Sequence, residues 1–152
     1  MTRGARLSSA IALAAALCGC GGPSRPSSSF ATRAEAAAAV PAWVPAAATE
    51  LRVVSDERSG EYWLRFRLAG SDRPALEAGL LRIPDEQVGT LTFRAPRGVD
   101  WWFRGLVQTV PAREKTVIAA DVFSGAGRDV PRRAFVAFDR ASDAVYAWSA
   151  GR

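Results

Sequence analysis

The stretch Glu61–Leu68, EYWLRFRL, alternates with a period of two. Tyr62, Leu64, Phe66 and Leu68 fall on one side, and Trp63, Arg65 and Arg67 on the other. Successive strand side chains point to opposite faces, so this pattern requires a sheet with one well-buried side. Leu51–Glu57 (LRVVSDE) precedes it across Arg58-Ser59-Gly60, where glycine supplies the positive φ of a tight hairpin. An antiparallel pair is thereby fixed at the start of the domain.

The remaining elements are read around that pair. Between Ser71 and Ile83 the period changes: Leu76, Leu80 and Ile83 stand at i, i+4 and i+7, with Pro74 near the start and Pro84 just beyond. This predicts one short amphipathic helix, weakened by Gly79. Strands are predicted over Gly89–Ala95 and over the almost wholly apolar Thr116–Phe123. A closing hairpin is predicted from Ala134–Phe138 and Ala144–Trp148 around Asp139–Asp143. The expected class is α+β: an antiparallel meander sheet of about five to six strands with one short helix packed on one face.

The N-terminus has a different composition. Met1–Arg6 carries Arg3 and Arg6 and no acid, and Leu7–Leu17 is an uncharged, mostly apolar run. That run has the length of a signal-peptide core, whereas a spanning helix needs about 20 apolar residues. Leu17-Cys18-Gly19-Cys20 follows and resembles the bacterial lipobox, with Leu17 at −3, Gly19 at −1 and Cys20 as the modified residue. The resemblance implies that residues 1–19 are removed, Cys18 with them, and that Cys20 carries the lipid. Two or three acyl chains anchor stably where one binds marginally. By the sorting rule of Gram-negative envelopes, Gly21 after Cys20 implies the outer membrane, with the domain facing the periplasm. The alternatives are an ordinary signal peptide cleaved near Gly22 and a buried N-terminal helix.

Residues 21–33, GGPSRPSSSFATR, have linker composition, so residues 20–40 are expected to form a flexible tether ahead of a single domain over 41–152. Pro41-Ala42-Trp43-Val44-Pro45, followed by Ala48, Leu51, Asp56, Trp63 and Phe66, is similar to the opening of small proteobacterial lipoproteins. Tyr146-Ala147-Trp148 matches their later strand. That likeness implies a location and a fold class but no chemistry.

Charge and residue usage exclude several functions. Of 20 basic residues, Arg3 and Arg6 leave with the signal, so 18 face 15 acids and the formal charge is +3. The basic residues are interleaved with acids, which gives no support to nucleic-acid binding. The chain has no His, and its two cysteines, Cys18 and Cys20, both lie at or before the cleavage site. A catalytic triad, a Cys nucleophile and a His/Cys metal centre are therefore excluded, and no metal or cofactor is expected. Lys115, the only lysine, has no Ser-x-x-Lys spacing before it. Ser124–Arg128 has the glycines of a phosphate loop without its Lys-Ser/Thr end, and reads as a turn.

Two features remain as candidates. Asp121 sits in the most apolar strand and is expected to be partly buried against an arginine, with carboxylate-dependent hydrolysis as the remote alternative. Trp101, Trp102, Phe103 and Arg104 form the best candidate binding surface, since three consecutive aromatics in a strand cannot share one face. The expected function is a non-enzymatic, membrane-anchored envelope lipoprotein that binds another envelope component. That component is expected to be a protein, with a cell-wall saccharide stacked on Trp101 and Trp102 as the second reading.

Overall fold

The computed structural model describes residues 27–91, 96, 98–103, 107–110 and 115–149, with backbone only at 107–110 and 115–118. Cys18, Cys20 and Arg104 lie outside the described residues, as do the Lys115 side chain and the latter part of the strand expected over Gly89–Ala95.

The strands are β1 (Ser28–Thr32), β2 (Thr49–Asp56), β3 (Glu61–Arg67), β4 (Leu80–Arg82), β5 (Val107–Val110), β6 (Lys115–Ile118), β7 (Ala120–Gly125), β8 (Ala134–Asp139) and β9 (Ala144–Ser149). Three one-turn helices accompany them: α1 (Arg33–Ala36), α2 (Arg73–Glu77) and α3 (Asp85–Val88). Seven strands form one antiparallel sheet in the order β1-β2-β3-β9-β8-β7-β4, and β5 pairs with β6 separately. The antiparallel sheet is as expected but larger. It consists of two meanders, β1-β2-β3 and β7-β8-β9, joined by the β3–β9 pairing of distant segments, with β4 added at the outer edge of β7.

Both faces of the sheet are buried, and strand alternation explains how. On β3, Leu64 and Phe66 join one apolar cluster with Leu51, Val53, Val136, Phe138 and Val145, while Trp63 joins the opposite cluster with Val54, Val122, Ala137, Tyr146 and Trp148. The first face is closed by Val40, Val44, Ala48, Leu76 and Val130. The second is closed by Val88 and by Trp101, Trp102 and Phe103. The hairpin glycine works as its position predicts, with Gly60 at φ 68°.

Two expectations are corrected. The expectation of a flexible tether does not hold over residues 28–40, because Ser28–Thr32 pairs antiparallel with β2 and Thr32 caps α1 by accepting from Glu35 N. The pairing supplies the backbone hydrogen bonds that so short and polar a strand could not hold alone.

The single helix over 71–83 ends early. α2 stops at Glu77, and Leu80–Arg82 instead pairs with β7 as an edge strand. Gly125 allows this crossing of chains. A Cβ there would lie 2.0 Å from the Pro131 carbonyl oxygen, so only glycine fits between β7 and the Val130–Pro131 segment. The expected strand over 116–123 is likewise divided into β6 and β7 at Ala119.

A candidate functional site beside the Asp121 arginine network

Asp121 leaves β7 on the first face of the sheet, opposite Phe138 of β8. Its side chain is 17% exposed and is surrounded by three arginines from three elements. Arg73, at the start of α2, donates from Nη2 to Oδ2 at 2.8 Å. Arg140, in the β8–β9 turn, donates from Nε to Oδ1 at 3.0 Å, and Arg82, at the end of β4, from Nη2 at 3.3 Å. Arg73 also binds Glu77 at 2.6 Å and lies with its guanidinium carbon 4.4 Å over the Phe138 ring. Arg140 Nη2 reaches both oxygens of Asp85 at 3.1 Å.

The sequence expectation of a partly buried, arginine-paired Asp121 is met, with three partners in place of one. Burial alone would raise its pKa, but hydrogen bonds and charge from Arg73 and Arg140 outweigh that and hold the carboxyl below the ordinary aspartate value. Its lone pairs are spent on guanidinium donors. A proton-donating acid of the kind glycoside hydrolysis needs is the opposite of this environment.

Beside the network lies an open cleft of about 310 Å³, lined among others by Leu68, Arg73, Phe138, Arg140, Ser142 and Asp143. Its far wall is the β8–β9 turn, which is internally braced. Asp139 accepts from Ala141 N at 2.9 Å and from Ser142 Oγ at 2.5 Å, and Ser142 Oγ accepts from Ala144 N at 3.2 Å. Leu68 N donates to Asp143 O at 3.0 Å and ties the turn to the end of β3. The cleft is therefore a pre-formed depression with an apolar floor and charged walls, suited to holding a side chain or small polar group. Among the described residues no group of His, Cys, Asp and Glu is placed to hold a metal.

The aromatic candidate surface is corrected. Trp101, Trp102 and Phe103 are 8%, 9% and 5% exposed, so none offers a free ring face for a sugar. Trp102 meets Phe103, Tyr146 and Trp148 edge-on at 4.6, 6.0 and 6.0 Å, and Phe103 stacks on Tyr146 at 5.0 Å. The premise that consecutive side chains must alternate holds only for a strand. Here the segment is a bend, and Phe103 takes φ 47°, which turns all three rings onto the second face. Ser124–Arg128 is also divided: Ser124 and Gly125 end β7, and the turn follows with Gly127 at φ 92°.

Composition gave no sign of Arg82, Arg140 or Ser142, because three segments far apart in sequence assemble the cleft and its network. Compared with protein-family models, with curated proteins and with solved structures, the chain matches none. Among the described residues no helix is long and apolar enough to cross a membrane.

Proposed function

We propose that this chain is a non-enzymatic envelope lipoprotein, anchored through lipid on Cys20, whose domain binds a protein of the same envelope. One observation carries the reading: a charged start, an apolar run and Leu17-Cys18-Gly19-Cys20 come in the order that lipoprotein processing requires, directly before a Gly/Pro/Ser stretch. The outer membrane, periplasmic face, follows from Gly21. Support for a binding role over catalysis comes from the absence of His and from Asp121, whose arginines keep it ionised.

The cleft beside Arg73 and Arg140 is the proposed contact point, since its floor is apolar and its rim carries both charge signs. The saccharide reading loses its motivation, because the rings that would stack on a sugar are buried. In cells supplied with labelled palmitate, the wild-type chain takes up label and fractionates with membranes, and Cys20→Ala does neither. Membrane fractionation that survives Cys20→Ala overturns the anchor. A photocrosslinking residue at Ser142 in intact cells gives one discrete protein adduct, and no adduct overturns the protein partner.

A further inference from the structure

The second face of the sheet is unevenly covered. The rings of Trp102 and Phe103 lie over Tyr146 and Trp148, but toward β1 the same face ends in two arginines. One rung of the sheet runs Ser29, Arg52, Arg65, Tyr146, Ala137 across five strands. Arg52 and Arg65 are thus directly opposite on adjacent antiparallel strands, a like-charge placement that disfavours the pair.

Several other arginines of the domain are neutralised. Arg67 faces Glu50 and Asp143, and Arg73, Arg82 and Arg140 share Asp121, Asp85 and Glu77. Among the described residues, Arg52 and Arg65 have no carboxylate within 4.0 Å. Arg65 lies 5.9 Å over the Tyr146 ring, which fixes its position without cancelling its charge. Arg52 is exposed and Arg65 partly so. An uncompensated pair held this way is a place for an external anion with phosphate-like geometry.

The chain entering β1 indicates which anion. Trp101 Nε1 donates to Ser27 Oγ at 3.2 Å, so the N-terminal segment meets the domain on this same face, two residues before Ser29. Given the lipid anchor proposed above, on which this inference rests, seven residues separate Cys20 from β1. Their typical span is roughly 15 Å, and even fully extended they reach only about 25 Å. The corner is therefore held close to headgroups at high effective concentration. The geometry points to Arg52 and Arg65 as a docking corner for anionic phospholipid headgroups of the membrane that Cys20 enters. The lipid then holds the domain at one end, the arginines hold one edge of the sheet down, and the cleft on the opposite face is left toward solvent.

Each arginine near an anionic surface favours the docked state about 5-fold, and the two together about 25-fold. The test uses the full-length chain, expressed in a lipoprotein-processing host and reconstituted into vesicles, with an environment-sensitive fluorophore on Ser29→Cys. Intact mass reports acylation of Cys20. With one quarter phosphatidylglycerol in phosphatidylcholine the probe shifts to the blue, and in phosphatidylcholine alone it does not. Arg52→Gln, the change at the more exposed of the two, lowers the docked-to-free ratio about 5-fold. Arg52→Gln with Arg65→Gln lowers it about 25-fold, and 0.5 M salt does the same. An acylated wild type whose probe ignores lipid charge, or a double variant that docks as well as wild type, overturns the docking corner and leaves the anchor standing. A chain without acyl mass on Cys20 overturns both.

Discussion

Arg73 donates to Asp121 across 48 residues of sequence, at 2.8 Å, while its guanidinium carbon lies 4.4 Å over the Phe138 ring on the neighbouring strand. The contact joins α2 to the first face of the sheet, and Arg140 and Arg82 close on the same carboxylate from β9's entry turn and from β4. The wall that carries Arg73 and Arg140 thus shares one acid.

Removing that acid is expected to loosen the whole wall. Asp121→Asn keeps the shape but leaves three guanidinium groups without their shared charge, at a cost of about 1–2 kcal/mol in urea unfolding. Arg140→Gln, 45% exposed, costs less than about 1 kcal/mol. The pH dependence follows from the lowered carboxyl pKa. Its unfolded value is near 3.8, so the Asp121 contribution is complete above about pH 4–5. It disappears as pH falls through the lower folded value, and Asp121→Asn flattens that acid limb. An acid limb of equal slope in both proteins contradicts the assignment.

Tyr62 gives the opposite, alkaline, signature. Its hydroxyl and the nearby Trp43 Nε1 are buried without a well-formed hydrogen bond. Burial pushes the Tyr62 hydroxyl up to about 12, an effect that the Trp43 indole only partly offsets. The folded value exceeds the ordinary 10.0, so the contribution is complete below pH 10 and is lost as pH rises through about 12. A two-unit difference corresponds to about 2–3 kcal/mol. Absorbance at 295 nm is expected to resolve a tyrosine titrating near pH 12. Tyr62→Phe removes it and leaves stability at neutral pH unchanged or slightly raised, because the lost hydroxyl had no partner to forfeit.

What could be read from sequence was what is local. The β2–β3 hairpin was legible because its alternation and its Gly60 turn lie within one short stretch. A lone acid in an apolar strand pointed to the Asp121 ion pair, but not to which arginines would arrive, since they come from 48, 39 and 19 residues away. β1 was hidden because Ser28–Thr32 has no strong strand preference, and its order comes from β2. The helix over 71–83 was overstated because periodicity ignores a competing partner. Residues 80–82 gain more from pairing with β7 beside Gly125 than from another helical turn. The proposed anchor and the proposed docking corner depend on residues whose meaning is positional, and nothing in the local sequence sets Arg52 and Arg65 apart from ion-paired arginines such as Arg67 and Arg73.

The Trp101–Phe103 bend provides the sharpest separation of structure from recognition. Trp102 packs edge-on against four other aromatics, Trp101, Phe103, Tyr146 and Trp148, and closes the second face, so Trp102→Ala opens a large cavity over Tyr146 and Trp148. Such truncations cost about 3–5 kcal/mol, enough to lower the unfolding midpoint markedly or to prevent folding. Trp102→Phe retains much of the volume and is expected to cost roughly half as much. Trp101→Ala also removes the donor to Ser27 and so frees the start of β1, which hydrogen exchange at residues 28–32 reports. Solubilised cell-wall fragments leave the tryptophan fluorescence of the folded protein unchanged, because no buried ring is available to them. A saturable shift on adding those fragments would mean that the bend opens in solution and that the rings serve binding after all.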